Sequence, residues 1–226
     1  MVSSSIKKWA GLIAILALPG IIYFYVTKAE NHFMPLATIG MERHQIPNFS
    51  FINQYNDTIS NIDYRGSIYV ANFFFTTCPT ICPIMTNKMK YVQDKLSVYP
   101  NIKFLSHTVN PENDSPEKLF EYANDMQADL TNWNFVTGDK DKIYKIAASY
   151  LVSAGEEDEN APGGFFHSEK FILIDKEGRV RSGIDINGNP YGAYDGTNDA
   201  DIKTLVKDIR VLMAEYKKKK ISVSEK

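Results

Sequence analysis

Two cysteines and a distant histidine are the residues of this chain whose types and spacing best suit chemistry. Cys78 and Cys82 are the only cysteines in 226 residues, and both lie in the segment TCPTICP at positions 77–83. A scaffold held by disulfides needs several bridges, whereas a single close pair is more typical of redox or metal chemistry. The pair is therefore the first candidate site.

The elements around the pair are expected to bring the two sulfurs together. The run SIYVANFFF at 67–75 predicts a buried strand before the cysteines, and a helical pattern over 81–99 follows them. Cys78 then lies near a helix N-terminus, where unpaired N–H groups and the helix dipole favour a thiolate. Cys82, four residues later, faces the same side of a helical turn. Two soft sulfur ligands select Cu(I) or zinc, and an added imidazole also allows Cu(II).

Four histidines compete for the place of a third ligand. His167 follows a glycine-rich loop, as suits a residue held near another loop, and we expect it to be the ligand. His107 is the alternative, although its place within the run FLSHTV predicts a hydrogen-bonded strand histidine. His32 and His44 fall in a predicted linker and are expected to be solvated.

Other interpretations of the residues stay open. A structural disulfide would close only a short loop and so add little stability, and a structural zinc site normally needs four protein ligands. A thiol–disulfide oxidoreductase is a real alternative, although redox pairs usually have two residues between the cysteines. A peroxidase of the peroxiredoxin kind would need Thr or Ser three residues before its reactive cysteine. This chain has Phe75 three residues before Cys78 and Pro79 three residues before Cys82. Met85 and Met89 have the spacing of a core-facing helix stripe.

Composition and the N-terminus limit the class of protein further. A net charge of -2 gives no basic field for nucleic acid, so we exclude that partner. The run Trp9 to Val26 carries no charge over 18 residues and follows Lys7 and Lys8. It predicts a single-pass transmembrane signal anchor with a short cytoplasmic tail at 1–8, so that the domain faces outward.

The rest of the chain predicts an α/β domain with a mixed sheet. A linker is expected at 27–45, the domain at 46–216 and a basic, polar tail at 217–226. Asp114 or Ser115 is expected to cap the helix that starts at Pro116. The acidic run at 155–164 is either solvated surface or a docking loop or lid. The strands are predicted at 49–52, 67–75, 102–109, 133–136, 171–175 and 180–184, and the helices at 81–99, 116–124, 140–150 and 199–216.

Three segments together resemble the Sco/SenC copper chaperones over about residues 46–212. They are TCPTICP at 77–83 after an aromatic strand, TVNPENDSPE at 108–117, and His167-Ser168 shortly before ILIDKEG at 172–178. The resemblance implies a thioredoxin-like, peroxiredoxin-related fold with a membrane anchor. It also implies copper ligation by Cys78, Cys82 and His167.

The same resemblance implies what the domain works with. The domain would help to assemble the copper A centre of cytochrome c oxidase, so its partner would be cytochrome c oxidase subunit II or another copper acceptor. A thiol reductant would act on the Cys78–Cys82 dithiol. The domain would be anchored in the inner (cytoplasmic) membrane and face the periplasm or the extracytoplasmic side. Two positions depart from the family pattern, because Asn110 and Phe166 stand where the family commonly has Asp. Both changes remove negative charge near the expected copper site, so we expect altered redox tuning.

Overall fold

The computed structural model describes residues 9, 13, 15, 17–23, 34–41, 44–152, 154–157 and 165–224. The chain divides into two compact units, Met1–Met34 and Pro35–Lys226. In the first unit residues 9, 13, 15 and 17–23 are helical, and the rest of the predicted anchor Trp9–Val26 lies outside the described residues. Among the positions that the structure describes, no helix has both the length and the apolar character needed to cross a membrane.

The second unit contains eleven strands and five helices within its described residues. The strands are β1 Ala37–Thr38, β2 Ser50–Asn53, β3 Thr58–Ser60, β4 Ile68–Phe74, β5 Ile102–Thr108, β6 Trp133–Thr137, β7 Ala154–Glu157, β8 Phe165–His167, β9 Lys170–Ile174, β10 Val180–Ser182 and β11 Tyr194–Asp195. The helices are α1 Asn61–Tyr64, α2 Ile81–Lys95, α3 Pro116–Asp125, α4 Lys140–Ser149 and α5 Asp199–Ser224.

Nine strands form one mixed sheet, which confirms the predicted α/β class. The order is β1-β10-β9-β4-β5-β6-β2-β3, with β11 also paired to β9, while β7 and β8 form a separate hairpin. Strands β4, β5 and β6 are parallel, and Phe74 at the end of β4 lies opposite Thr108 at the end of β5. The loops that follow these two strands therefore leave the sheet at the same edge. The cysteines lie in the first of these loops.

The core explains why these segments take their places. All seven side chains of β4 are buried, as expected for a central strand covered on both faces. Helix α2 buries Met85, Met89 and Val92, and it packs against α5. Met85 and Met89 are fully buried core residues, as the spacing predicted.

Two helix ends differ from the predictions. Helix α2 ends at Lys95 instead of Tyr99, because the N–H of Leu96 bonds to the carbonyl of Gln93 and the chain continues in turns. Helix α5 continues to Ser224, eight residues past the predicted end at 216. The intervening lysines are good helix formers, and neither glycine nor proline interrupts them.

Part of the predicted linker at 27–45 is also a strand. Ala37 and Thr38 form β1 and pair with β10. The buried guanidinium of Arg181 fixes this edge, since it donates to the carbonyls of Leu36 and Ala37 and contacts Asp175 and Glu215. Periodicity does not predict β1, because only two of its residues pair.

Candidate functional site

The two cysteines lie where the buried strand β4 passes into helix α2. The strand ends at Phe74, residues 75–80 form the connection, and α2 begins at Ile81. The N–H of Cys78 donates to the carbonyl of Phe75 at 3.3 Å, which turns the chain at the end of the strand. Cys78 therefore precedes the helix, and Cys82 is its second residue.

The structure brings the cysteines together at the helix N-terminus, as the spacing predicted. The backbone N–H of Cys82 donates to the sulfur of Cys78, with nitrogen and sulfur 3.5 Å apart. N–H groups in the first turn have no carbonyl partner within their own helix, so a sulfur placed there satisfies one of them. The same hydrogen bond and the helix dipole stabilise negative charge on Cys78.

The two thiols differ in access to solvent. Cys78 is 5% exposed and Cys82 is 0% exposed, and no disulfide joins them. A separate hydrogen bond between the Cys82 thiol and the Cys78 side chain, followed by burial, raises the pKa of the Cys82 thiol far above its ordinary value, and the charge of Asp114 adds a smaller contribution. Cys82 is thus a protonated, sealed partner, while Cys78 is the sulfur that an incoming ion or reagent meets first.

A buried carboxylate, Asp114, holds the loop that leads to Cys78. It accepts hydrogen bonds from the backbone N–H of Thr76 at 3.1 Å and from the Thr76 hydroxyl at 2.5 Å. The hydroxyl of Thr108 and the side-chain amide of Asn113 also donate to it. Asp114 therefore connects the loop after β4 to the end of β5.

Of the two residues predicted as alternative caps for the helix at Pro116, the structure selects Ser115. The N-cap of α3 is Ser115, whose hydroxyl accepts from the N–H of Lys118 at 3.4 Å, whereas Asp114 bonds to Thr76 and Thr108 instead. Local sequence could not distinguish the two candidates, because both precede Pro116. The available signal was topological: the ends of neighbouring parallel strands meet at one sheet edge, where Thr76 and Asp114 both lie.

The predicted third ligand, His167, is the last residue of β8. Its backbone pairs with Ala154 in the β7–β8 hairpin, while its side chain lies outside the described part of the structure. Of the acidic run 155–164, the first three residues belong to β7, and residues 158–164 lie outside the described residues. Ligation by His167 therefore stays a prediction, and so does a docking or lid role for the acidic run.

The alternative ligand, His107, is in β5 as predicted, but the predicted hydrogen bond is wrong. Among the described residues neither ring nitrogen has a hydrogen-bond partner, although the side chain is 0% exposed. Its ring stacks on Phe73 at 5.1 Å and also packs against the rings of Phe49, Phe51 and Tyr150. Burial in this aromatic cluster lowers the pKa of His107 to about 3.

The two linker histidines are not both accounted for. His44 was expected to be solvated, but it is half-buried and its Nε2 lies 2.7 Å from the carbonyl oxygen of Ser149. That contact shows that the chain near His44 packs on the domain. His32 lies outside the described residues.

The chemistry of the described donors is that of a soft two-sulfur site. Within the described part of the chain, no three His, Cys, Asp or Glu side chains are grouped to hold a metal ion. Cys78 and Cys82 alone supply two sulfurs at one place, which favours a thiophilic ion such as Cu(I). A structural zinc site needs four protein ligands, and the described side chains supply only these two.

A mixed sheet with flanking helices and a pair of cysteines at a strand–helix junction defines a thioredoxin-like domain. A family model described as SCO1/SenC matches residues 38–200. The chain therefore belongs to the SCO1/SenC family.

Individual relatives agree with this assignment. The chain is 31% identical over 154 residues to the SCO1 protein homolog of Bacillus subtilis (strain 168), covering 67% of this chain and 78% of that protein. BsSco, described as a member of the Sco family of cytochrome c oxidase assembly proteins with a disulfide switch, superposes with a TM-score of 0.63. It is 26% identical, and the match covers 76% of this chain and 94% of BsSco.

A copper-bound relative shares the fold. ScoI of Arabidopsis thaliana, whose structure was solved with copper bound, superposes with a TM-score of 0.56 at 24% identity. The match covers 73% of this chain and 97% of that one. At this identity the likeness concerns the fold alone.

Proposed function

We propose that the protein is a membrane-anchored copper metallochaperone that binds copper through Cys78, Cys82 and His167. The observation that carries the proposal is the hydrogen bond from the N–H of Cys82 to the sulfur of Cys78, which places two thiols of a strand–helix junction side by side. Sulfur pairs of this kind hold Cu(I), and an imidazole completes a set that also tolerates Cu(II). Membership of the SCO1/SenC family, whose copper chaperones the three sequence segments resemble, supports this choice of metal.

Delivery follows from the unequal exposure of the two sulfurs. Cys78 keeps a small exposed area and Cys82 has none, so an acceptor protein exchanges its ligands with Cys78 first. Family membership and the description of BsSco as an assembly protein support cytochrome c oxidase subunit II, with its copper A centre, as the acceptor. The ion passes by ligand exchange without a covalent intermediate on the protein.

The anchor is the second part of the proposal. It rests on the 18 uncharged residues from Trp9 to Val26, of which 17–23 are helical and Ile21, Ile22 and Tyr23 are exposed. The full chain should stay with the membrane fraction after alkaline carbonate extraction, and a chain starting at Pro35 should not. Release of the full chain into the supernatant would contradict anchoring.

Copper stoichiometry tests the binding function. The reduced full-length chain in detergent micelles should bind one Cu(I), and the double variant Cys78→Ser, Cys82→Ser should bind none. His167→Ala should weaken binding, whereas His107→Phe, a matched histidine control, should not. Equal binding by wild type and the double cysteine variant would contradict the proposal. Loss of binding in His107→Phe alone would show that the third ligand is His107.

A thiol–disulfide oxidoreductase is the second candidate, and the unequal thiols favour it. In such a reaction the Cys78 thiolate attacks a target disulfide and releases one target thiol. Cys82 then attacks the Cys78 sulfur and releases the second thiol, so two electrons pass from the dithiol to the target. A thiol reductant restores the pair. Reduction of an oxidised copper-acceptor protein by the copper-free chain would support this role, and its absence would contradict it.

A further inference from the structure

One buried carboxylate, Asp114, has an environment that the copper ligands alone do not explain. Its side chain is 0% exposed, and no salt bridge among the described residues involves it. A carboxylate buried without a cation is unfavourable unless hydrogen bonds compensate for the lost water. The residues that donate hydrogen bonds to the Asp114 carboxylate are therefore the ones that it holds in place.

Those donors belong to the two loops that leave the parallel strands. From the first loop come both polar groups of Thr76, two residues before Cys78. From the end of β5 comes the hydroxyl of Thr108, whose oxygen in turn accepts from the N–H of Asn110 at 3.0 Å. The carboxylate thus joins the start of the cysteine loop to the neighbouring strand end.

Backbone hydrogen bonds hold the chain on both sides of the contact between Asp114 and Thr76. The N–H of Val109 donates to the carbonyl of Phe74 at 2.8 Å, so the strand ends are paired up to the last residue of β4. Beyond that residue, Asp114 makes the contacts that hold Thr76, and the N–H of Cys78 then bonds back to Phe75. Displacement of Thr76 would move Cys78 relative to the N-terminus of α2.

We propose that Asp114 is a positioning residue for the dithiol: by holding Thr76 it keeps the sulfur of Cys78 over the first turn of α2 and next to Cys82. The inference rests on the proposed function only for the identity of the metal. The positioning itself concerns the two sulfurs and is measurable without copper.

The test uses the full-length chain in detergent micelles, equilibrated with glutathione and glutathione disulfide in the absence of copper. Oxidation forms the bond between the sulfurs of Cys78 and Cys82 and breaks the bond of glutathione disulfide. Two electrons and the two thiol protons pass to two glutathione molecules. The equilibrium constant measures how favourably the protein holds the two sulfurs together.

The variants remove the contacts between Asp114 and Thr76 to different extents. Asp114→Ala should lower the equilibrium constant by about tenfold or more, because the sulfurs are no longer held in one arrangement. Asp114→Asn keeps one acceptor oxygen and should give an intermediate value. Thr76→Val removes a single hydroxyl donor and should give a smaller decrease. Asp208→Asn is the matched control, because Asp208 is a buried carboxylate that accepts from the hydroxyl of Tyr194 at 2.8 Å.

The outcomes separate this inference from the proposed function. Equilibrium constants of Asp114→Asn and Thr76→Val equal to that of Asp208→Asn would overturn the positioning role, even if Asp114→Ala does not fold. Cu(I) affinity, measured by competition with a chromophoric chelator, should fall in the same order as the equilibrium constant. If wild type binds no copper but its dithiol still depends on Asp114, the copper function fails and the positioning role stands.

Discussion

The N–H of Cys82 and the sulfur of Cys78 lie 3.5 Å apart, so the second cysteine of the pair holds the first through its own backbone. Cys78 is outside helix α2 and Cys82 is inside it. The sulfur of Cys78 therefore lies at the N-terminus of α2. This relationship makes the two thiols chemically unequal.

The first prediction concerns that inequality. In the reduced protein at pH 7.5, iodoacetamide should modify Cys78 in Cys82→Ser at least about ten times faster than it modifies Cys82 in Cys78→Ser. The physical reason is the complete burial of Cys82, which does not depend on the sulfur of Cys78. Mass spectrometry of quenched samples gives both rates. Equal rates would show that the burial described for Cys82 does not hold in solution.

The second prediction concerns His107. Its pKa is about 3 in the folded protein and about 6.5 in an unfolded chain, so the unfolded state binds an extra proton between these values. Folding stability should therefore fall as the pH drops below 6.5, with a loss of about 2 kcal/mol from this group at pH 5.

The variant His107→Phe isolates that contribution. Phenylalanine matches the aromatic neighbours and cannot be protonated, so this part of the pH dependence should disappear. Urea unfolding of wild type and variant at pH 7.5 and pH 5 measures it, and comparing the two pH values removes any effect of packing. An identical loss of stability in both proteins would mean that the pKa of His107 is not lowered in the folded protein.

The third prediction concerns the ion pairs at Asp175. The side chain of Arg181 is 6% exposed and that of Arg179 is 34% exposed, and both contact the same carboxylate. Arg181→Met should destabilise the domain by about 3–5 kcal/mol, because Asp175 loses one of its two cations, Glu215 loses its contact with Arg181, and the carbonyls of Leu36 and Ala37 lose a buried donor. Arg179→Met, the matched control, should lose no more than about 1 kcal/mol. Similar losses in both variants, measured by urea unfolding, would contradict this difference.

The fourth prediction concerns the two methionines that follow the cysteines. Met85 and Met89 are fully buried in the core, so Met85→Leu and Met89→Leu should leave Cu(I) affinity unchanged. Each should change stability by less than about 1.5 kcal/mol, because volume is nearly conserved. A tenfold loss of Cu(I) affinity in a chelator competition would instead make a thioether a ligand.

Much of the fold could be predicted from sequence because its central elements are local and strongly patterned. The run at 67–75 is apolar on both faces and became β4, and Pro116 after a polar cap residue fixed the start of α3. The edge strand β1 could not be predicted. Two residues carry no periodicity, and Arg181, which holds them, is distant in sequence.

The candidate site shows the same division. Cys78 and Cys82 were predictable because they are the only cysteines and are close together. The role of Asp114 was not, since it depends on two strands ending at the same edge of a sheet. A hydrogen bond was expected for His107 because buried polar groups usually have a partner. That prediction was wrong, since the ring packs among aromatic side chains and neither nitrogen has a partner among the described residues.

X-ray absorption spectroscopy at the copper edge tests the proposed ligand set most directly. The Cu(I)-loaded full-length chain should show two sulfur neighbours and one imidazole nitrogen, and His167→Ala should lose the nitrogen while keeping both sulfurs. Asp208→Asn should give the wild-type spectrum. Copper bound by nitrogen and oxygen alone, or an imidazole signal that persists in His167→Ala, would contradict ligation by Cys78, Cys82 and His167.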